Sequence, residues 1–335
     1  SVMSALSREA QFIDSHGWKL DLERTVDLEA FRDELRPILL IPGFAMNKFI
    51  LGFHPGGRSM ISELARAGFE VWALDMRGQG PSHAIEDRAL EPGIWAYAQL
   101  DIQSGIDFVL EHTASKQNRV DLIGSSLGGS LVYAHLALHP RIHRVGAVVT
   151  LGAPLVWDQC HPILKTLSRF SRLMDAVDLR GSEALVRRIL PYFASLPVLK
   201  LYVNRAHFAL DDAPKLLQTL TFSAPSLNRE MAAWVRSRRL LLNGLDIAES
   251  LRDLQLPLLA FIANRDGLVP PAAVRSVARY WGTAAQQSEG EQRLQFIEVG
   301  DDDDWYAHAD MFIAPQAPRL VFEPMAKWLE GQSIG

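Results

Sequence analysis

The residues best equipped for chemistry lie between Val120 and Pro140, in VDLIGSSLGGSLVYAHLALHP. Gly124, Ser126 and Gly128 stand in the spacing G-x-S-x-G, with an apolar run before them and a second apolar segment after them. In a sharp strand-to-helix turn, a side chain two positions either side of the serine would collide with neighbouring backbone. Glycine at both places permits the turn and leaves Ser126 Oγ exposed where the helix starts. Ser126 is therefore the candidate nucleophile, and Ser125, at the variable position of the motif, is the alternative. The bare pattern can arise by chance, so the strand before it and the helix after it carry much of the weight.

A serine hydroxyl is a poor nucleophile at neutral pH and needs a base, which in turn needs an orienting acid. Asp266 lies in LLAFIANRDGLVPP, past the end of an apolar run and before a helix opened by proline, where sheet proteins gather functional loops. The alternative for Asp266 is a local turn with Gly267. His308, in DDDDWYAHADMF, is the only histidine after residue 207 and becomes the base by elimination; a surface-loop histidine is the alternative. Asp303 or Asp304, just upstream, would replace Asp266 if either held the imidazole. A tetrahedral oxyanion also needs two N–H donors, each typically worth about 3 to 4 kcal/mol. Leu127, after the nucleophile, supplies one. The other is expected from Phe44 in IPGFAMNKF, where Pro42-Gly43 turns the backbone towards the site.

Elements that could hold these residues can be read around them. Residues 9–14 and 18–26 flank His16-Gly17 as an antiparallel hairpin. The uninterrupted apolar run Ile38 to Ile41 reads as a strand buried on both faces, Phe69 to Asp75 as a second buried run, and Arg119 to Gly124, Val145 to Leu151, LPLLAFIANRD and RLQFIEVG as further strands. Helical spacing falls at Ser59 to Ala67, Ile94 to Thr113, Leu127 to Leu138 and Pro271 to Tyr280. This alternation predicts an α/β fold, a mostly parallel central sheet with an antiparallel start and helices on both faces. Between about 155 and 250 strand-like runs disappear and aromatics intersperse helical spacing, with Trp157, Phe170, Tyr192, Phe193, Phe208, Phe222 and Trp234. The expected division is a core of 1–154 and 251–335 with a mainly helical insertion at 155–250.

Composition limits the partners. The chain has 335 residues, a net charge of −5, 48% hydrophobic residues and one cysteine, as ordinary globular proteins do. Mild acidity without a basic block argues against a nucleic-acid surface and against attraction to anionic membranes. Small molecules are the expected partners. No run reaches the roughly 18 apolar residues of a membrane span, and the opening SVMSALSREA has no signal-peptide character, so the cytoplasm is expected. Cys160 alone can form no intramolecular disulfide and reads as a free structural thiol rather than a reactive one. His135 and His139 have the spacing of a zinc pair without an HExxH glutamate, and Asp301 to Asp304 lack the glycine and alternation of a calcium loop. No phosphate loop occurs, so neither metal nor cofactor is expected. Nothing in the sequence sets the oligomeric state.

The segments LLIPGF, VWALDMRGQGPS, LIGSSLGG, LPLLAFIANRDGLVPP and AHADMF occur in the order of the α/β-hydrolase superfamily, which this chain resembles across nearly its whole length. The resemblance gives Ser126, Asp266 and His308 the triad roles, makes 155–250 the cap, and assigns Asp75 and Arg77 to structural pairing in the arm after the second parallel strand. Many members have His-Gly before the oxyanion residue, where this chain has Pro42-Gly43. That variant and the GSSLGG elbow are similar to lipase-like and polyhydroxyalkanoate-synthase-like branches. The latter use Cys where Ser126 stands, which weakens a synthase assignment. The expected function is that of a serine hydrolase cleaving a carboxylic ester, or a thioester, with an apolar acyl group. An acyltransferase using the same triad is the nearest alternative, and a non-catalytic hydrolase-like binding protein is the alternative from another class.

Overall fold

The computed structural model describes residues 5–43, 51–140, 144–162, 200–207, 209 and 225–334. The chain opens with β1 (Ser7–Ser15) and β2 (Trp18–Val26), paired antiparallel in register from Ser7↔Val26 to Ser15↔Trp18. His16 and Gly17 close this hairpin with φ of 44° and 85°, the left-handed pair that a two-residue turn with the twist of its strands requires.

The strand-helix alternation follows: β3 (Ile38–Ile41), α1 (Met60–Arg66), β4 (Val71–Leu74), then the short β5 (His83–Ala84), which pairs with β2. Ser59 caps α1, its side chain accepting from Ser62 N. Helix α2 runs through Ile94–Ala96, Tyr97–Asp101 and Ile102–His112, and its middle turn widens to π geometry. That turn contains Asp101, fully buried, whose carboxylate accepts from Ser15 Oγ and from the backbone and guanidinium of Arg77. Arg77 thus takes its structural partner from α2, 24 residues away, and not from the neighbouring Asp75.

Next come β6 (Val120–Ser125), α3 (Leu127–Leu138) and β7 (Val145–Leu151). After helix α4 (Pro225–Ser237), a small hairpin of β8 (Leu241–Leu242) and β9 (Leu245–Asp246) precedes β10 (Leu258–Ala263). The chain ends through α5 (Pro271–Arg275), β11 (Leu294–Val299), α6 (Asp310–Ile313) and α7 (Glu323–Ile334). The expected helix to Tyr280 is α-helical only to Arg275 and continues as a 3₁₀ turn over Ser276–Arg279.

The large sheet has the order β1-β2-β4-β3-β6-β7-β10-β11, antiparallel in the first three strands and parallel from β4 onward. Strands β3, β4, β6, β7 and β10 are buried along their whole length, as strands covered by helices on both faces must be. The pleat divides β3 between two apolar layers. Leu39 and Ile41 join Ile102, Ile106 and Leu131 on one face, while Ile38 and Leu40 join Leu64, Val321 and Met325 on the other. Trp157, Leu227 and Trp234, from the span expected to be an insertion, belong to the first layer. Phe170, Tyr192, Phe193, Phe208 and Phe222 lie outside the described residues.

Candidate active site

Ser126 stands between the last residue of β6 and the first of α3, with φ 55° and ψ −126°, a conformation that costs a non-glycine residue on the order of 1 to 3 kcal/mol. Two hydrogen bonds and two close backbone approaches hold it there. Its N–H donates to Leu151 O at 2.6 Å, and its carbonyl accepts from Gly129 N at 3.0 Å. A Cβ on Gly124 would stand 2.4 Å from Gly129 Cα, and one on Gly128 would stand 2.3 Å from Ile41 O. These glycines are therefore required by close approach of backbone to backbone. Ser125 is also buried, and its Oγ has no hydrogen-bond partner among the described residues.

Asp266 and His308 come together from the loops after β10 and β11, at the same edge of the sheet as Ser126. His308 Nδ1 lies 2.5 Å from Asp266 Oδ2, both side chains almost wholly buried. Asp266 Oδ1 accepts from Leu268 N and Val269 N, each at 2.9 Å. One carboxylate thus does both jobs raised by its sequence context, with one oxygen on the turn and the other on the imidazole. The other ring nitrogen, His308 Nε2, is buried without a partner among the described residues, so no hydrogen bond to Ser126 Oγ is closed. The last residue of β7 and the one after it touch both groups: Ser126 N–H bonds Leu151 O, and a Cβ on Gly152 would stand 2.9 Å from His308 Cε1.

Phe44 lies outside the described residues. Gly43, just before it, passes directly over the elbow: a Cβ there would stand 3.2 Å from Ser126 Cβ and 3.5 Å from Leu127 N. Its carbonyl accepts from Gln79 Nε2 at 3.3 Å, and Gln79 Oε1 accepts from Met76 N. Beside Leu127, an apolar cavity opens between Ile94 of α2, Leu131 of α3 and Leu227, Met231 and Trp234 of α4. Glu230 of α4 caps the start of α2 by accepting from Ile94 N, and burial pushes its carboxyl above the ordinary range.

The remaining candidates are engaged locally. His135 and His139 stack at 4.4 Å, and their Nδ1 atoms bond Ala98 O and His135 O. Asp301 Oδ1 accepts from Asp303 N and Asp304 N, Asp302 pairs with Arg265, and Asp304 pairs with His207. Cys160 is half-buried with Sγ 3.6 Å from His161 O. Among the described residues no group of three or more His, Cys, Asp or Glu is placed to hold a metal ion, and no helix is long and apolar enough to cross a membrane.

Three participants escape a sequence reading. Gly152 carries no motif, although a glycine just after a buried strand is a signal for close approach. Gln79 sits in a segment legible only as a structural arm. His207 lies within the span expected to be an insertion, about 100 residues before the loop it bonds.

A protein-family model for the alpha/beta hydrolase fold matches residues 36–300. The chain is 22% identical over 315 residues to a poly(3-hydroxyalkanoate) polymerase subunit of Synechocystis sp., covering 88% of this chain and 77% of that protein. Among solved structures it is similar to a thermophilic esterase from Thermogutta terrifontis, with 19% identity and a TM-score of 0.63 over 97% of this chain and 99% of that one. An esterase from Exiguobacterium antarcticum gives 14% identity and a TM-score of 0.62 over 96% and 100%. At these identities the structural likeness is one of fold.

Proposed function

The chain belongs to the α/β-hydrolase fold family, and on that premise we propose that it is a serine hydrolase cleaving a carboxylic ester with an apolar acyl group. The observation that carries this reading is the Asp266 Oδ2 to His308 Nδ1 contact of 2.5 Å, with the opposite ring nitrogen buried and without a hydrogen-bond partner among the described residues. Ser126 Oγ attacks the acyl carbonyl as His308 Nε2 takes its proton, and Asp266 holds the imidazole and stabilises its charged form. The N–H groups of Leu127 and Phe44 receive the tetrahedral oxyanion. His308 returns the proton to the leaving alkoxide, and water resolves the acyl-enzyme by the same steps.

Residues 155–250 act as the cap, and the acyl group enters against the apolar side chains beneath α4, where the cavity has room for about one water molecule and side chains must move aside for a longer chain. The cavity's apolar lining supports a preference for hydrocarbon, since each buried CH₂ contributes about 0.8 kcal/mol. The test is turnover across p-nitrophenyl esters of increasing chain length, with an acyl thioester and an amide alongside. Acyl groups of several carbons should exceed acetyl by about tenfold or more in kcat/KM. Absence of turnover on every ester by folded protein defeats the proposal, and equal activity on acetyl and octanoyl esters removes the acyl-pocket assignment.

One observation favours a second reading. The similarity to a polymerase subunit extends over 88% of this chain, and the same acyl-enzyme can pass its acyl group to a hydroxyl acceptor in place of water. Partition between free acid and acyl-acceptor product, measured with an added hydroxyacyl thioester, separates transfer from hydrolysis.

A further inference from the structure

Outside the triad, the most developed cluster of titratable groups surrounds His207. This histidine is buried, in a 3₁₀ turn over Arg205–His207, and both its ring nitrogens face carboxylates. Nε2 lies 2.5 Å from Asp304 Oδ1 and Nδ1 lies 2.9 Å from Asp310 Oδ1. A neutral imidazole has only one N–H and would turn a lone pair towards one of the two carboxylates. Nε2 makes a hydrogen bond to Asp304, whereas the Nδ1 approach to Asp310 is a charge contact without hydrogen-bond alignment, and a ring held between two carboxylates is favoured as an imidazolium by their charge.

The loop between those carboxylates carries His308, and the His207 segment grips it repeatedly. Asp310 Oδ2 accepts from Asn204 N at 2.7 Å and from Ala307 N at 2.8 Å. Ala309 N donates to Tyr202 O at 2.7 Å, and Asn204 Nδ2 donates to Trp305 O at 2.9 Å. Gly267, next to Asp266, donates to Leu201 O at 3.0 Å. Residues 201–207 therefore hold both the loop of the acid and the loop of the base, and His207 is the ionic contact among these bonds.

We infer that His207 is a positioning residue for His308: held as a cation between Asp304 and Asp310, it fixes the loop that presents the imidazole to Ser126. The inference rests on the reading of His308 as general base. Burial disfavours the charged ring, but the close contacts with Asp310 and Asp304 and their charges outweigh it and hold the imidazole above its ordinary range. The other groups facing the ring are the Tyr306 side chain, its ring centroid 4.7 Å away, and beyond it the charge of Arg319. When pH rises far enough to remove the second ring proton, Asp304 and Asp310 lose their shared counter-charge and the loop is held less firmly on that side.

Two measurements on the full chain decide the matter. In ¹⁵N-histidine spectra of the wild-type protein at pH 7, the His207 ring, assigned by its loss in His207→Gln, should carry two N–H protons. The low-field proton of the His308 to Asp266 bond should broaden or shift in the variant. In ester turnover, His207→Gln should lower kcat about tenfold at pH 7 with KM within twofold, and the alkaline decline of wild-type kcat should be absent from the variant. A singly protonated His207 ring in the wild type overturns the inference, as does a variant with the wild-type kcat and alkaline limb. If the wild-type chain turns over no ester, the hydrolase reading fails by itself. The low-field proton then still decides whether His207 positions His308, an unchanged resonance in the variant being the overturning result.

Discussion

Gly152 and His308 are in such close contact that a single methyl group would not fit between them: a Cβ at Gly152 would stand 2.9 Å from Cε1 and 3.1 Å from Nδ1 of the imidazole. Gly152 also has φ +61°, which a side chain tolerates poorly. Gly152→Ala should therefore displace the ring that Asp266 orients. The expected result is a fall in kcat of about tenfold or more, since small displacements of reacting groups are costly, with a loss of stability of about 1 to 2 kcal/mol from the backbone. Ester kinetics alongside a urea melt separate the two effects. Wild-type kcat in the variant would place the imidazole's function elsewhere.

Gln79 bears on the oxyanion without belonging to the triad. Its amide donates to the carbonyl of Gly43, and that carbonyl shares a peptide unit with the N–H proposed as a donor, that of Phe44. Gln79→Leu removes the bond while keeping the bulk of a buried side chain. Loss of one oxyanion donor costs about 10²-fold to 10³-fold in kcat, so loosening one should cost less, on the order of tenfold, with KM little changed. Steady-state kinetics on the best ester checks this. A change confined to KM would assign Gln79 to substrate binding instead.

What the sequence disclosed, and what it did not, follows from the range of the interactions concerned. Helix Leu127–Leu138 has the bounds expected of it because its signals are local: two glycines at its start and His139-Pro140 at its end. Strand Ile38–Ile41 was legible because a strand covered on both faces favours a continuous apolar run. The π turn at Tyr97–Asp101 was not, because its buried aspartate answers to Arg77, a partner fixed only by the fold. The two-residue strand His83–Ala84 is too short to show a period. At the site, residue types and order pointed to Ser126, Asp266 and His308. The division of Asp266 between turn and imidazole could not be read there, nor could the His207 contacts, which join positions 97 and 103 residues apart.

At the opposite end of β6 lies a group that should govern stability rather than activity. Asp121 is fully buried and pairs with Arg36 at 2.7 Å, yet burial outweighs the guanidinium and pushes its carboxyl up to about 7. A folded state that holds this proton more tightly than the unfolded chain loses stability as pH rises between about 4 and 7. Above that window both states are ionised and the contribution no longer changes. Asp121→Asn should remove this component, so the difference in Tm between variant and wild type should move by several degrees in the variant's favour from pH 4.5 to pH 7.5. A difference independent of pH would show that Arg36 keeps the carboxylate ionised throughout.

Covalent capture identifies the nucleophile, proposed here as Ser126. Wild-type protein treated with a fluorophosphonate should gain the mass of one phosphonyl group, mapped by peptide mass spectrometry to Ser126. Ser125→Ala should label at the wild-type rate and Ser126→Ala not at all, with both variants retaining the wild-type melting transition to within a few degrees. Labelling that persists in Ser126→Ala, or that maps to Ser125, would contradict the account.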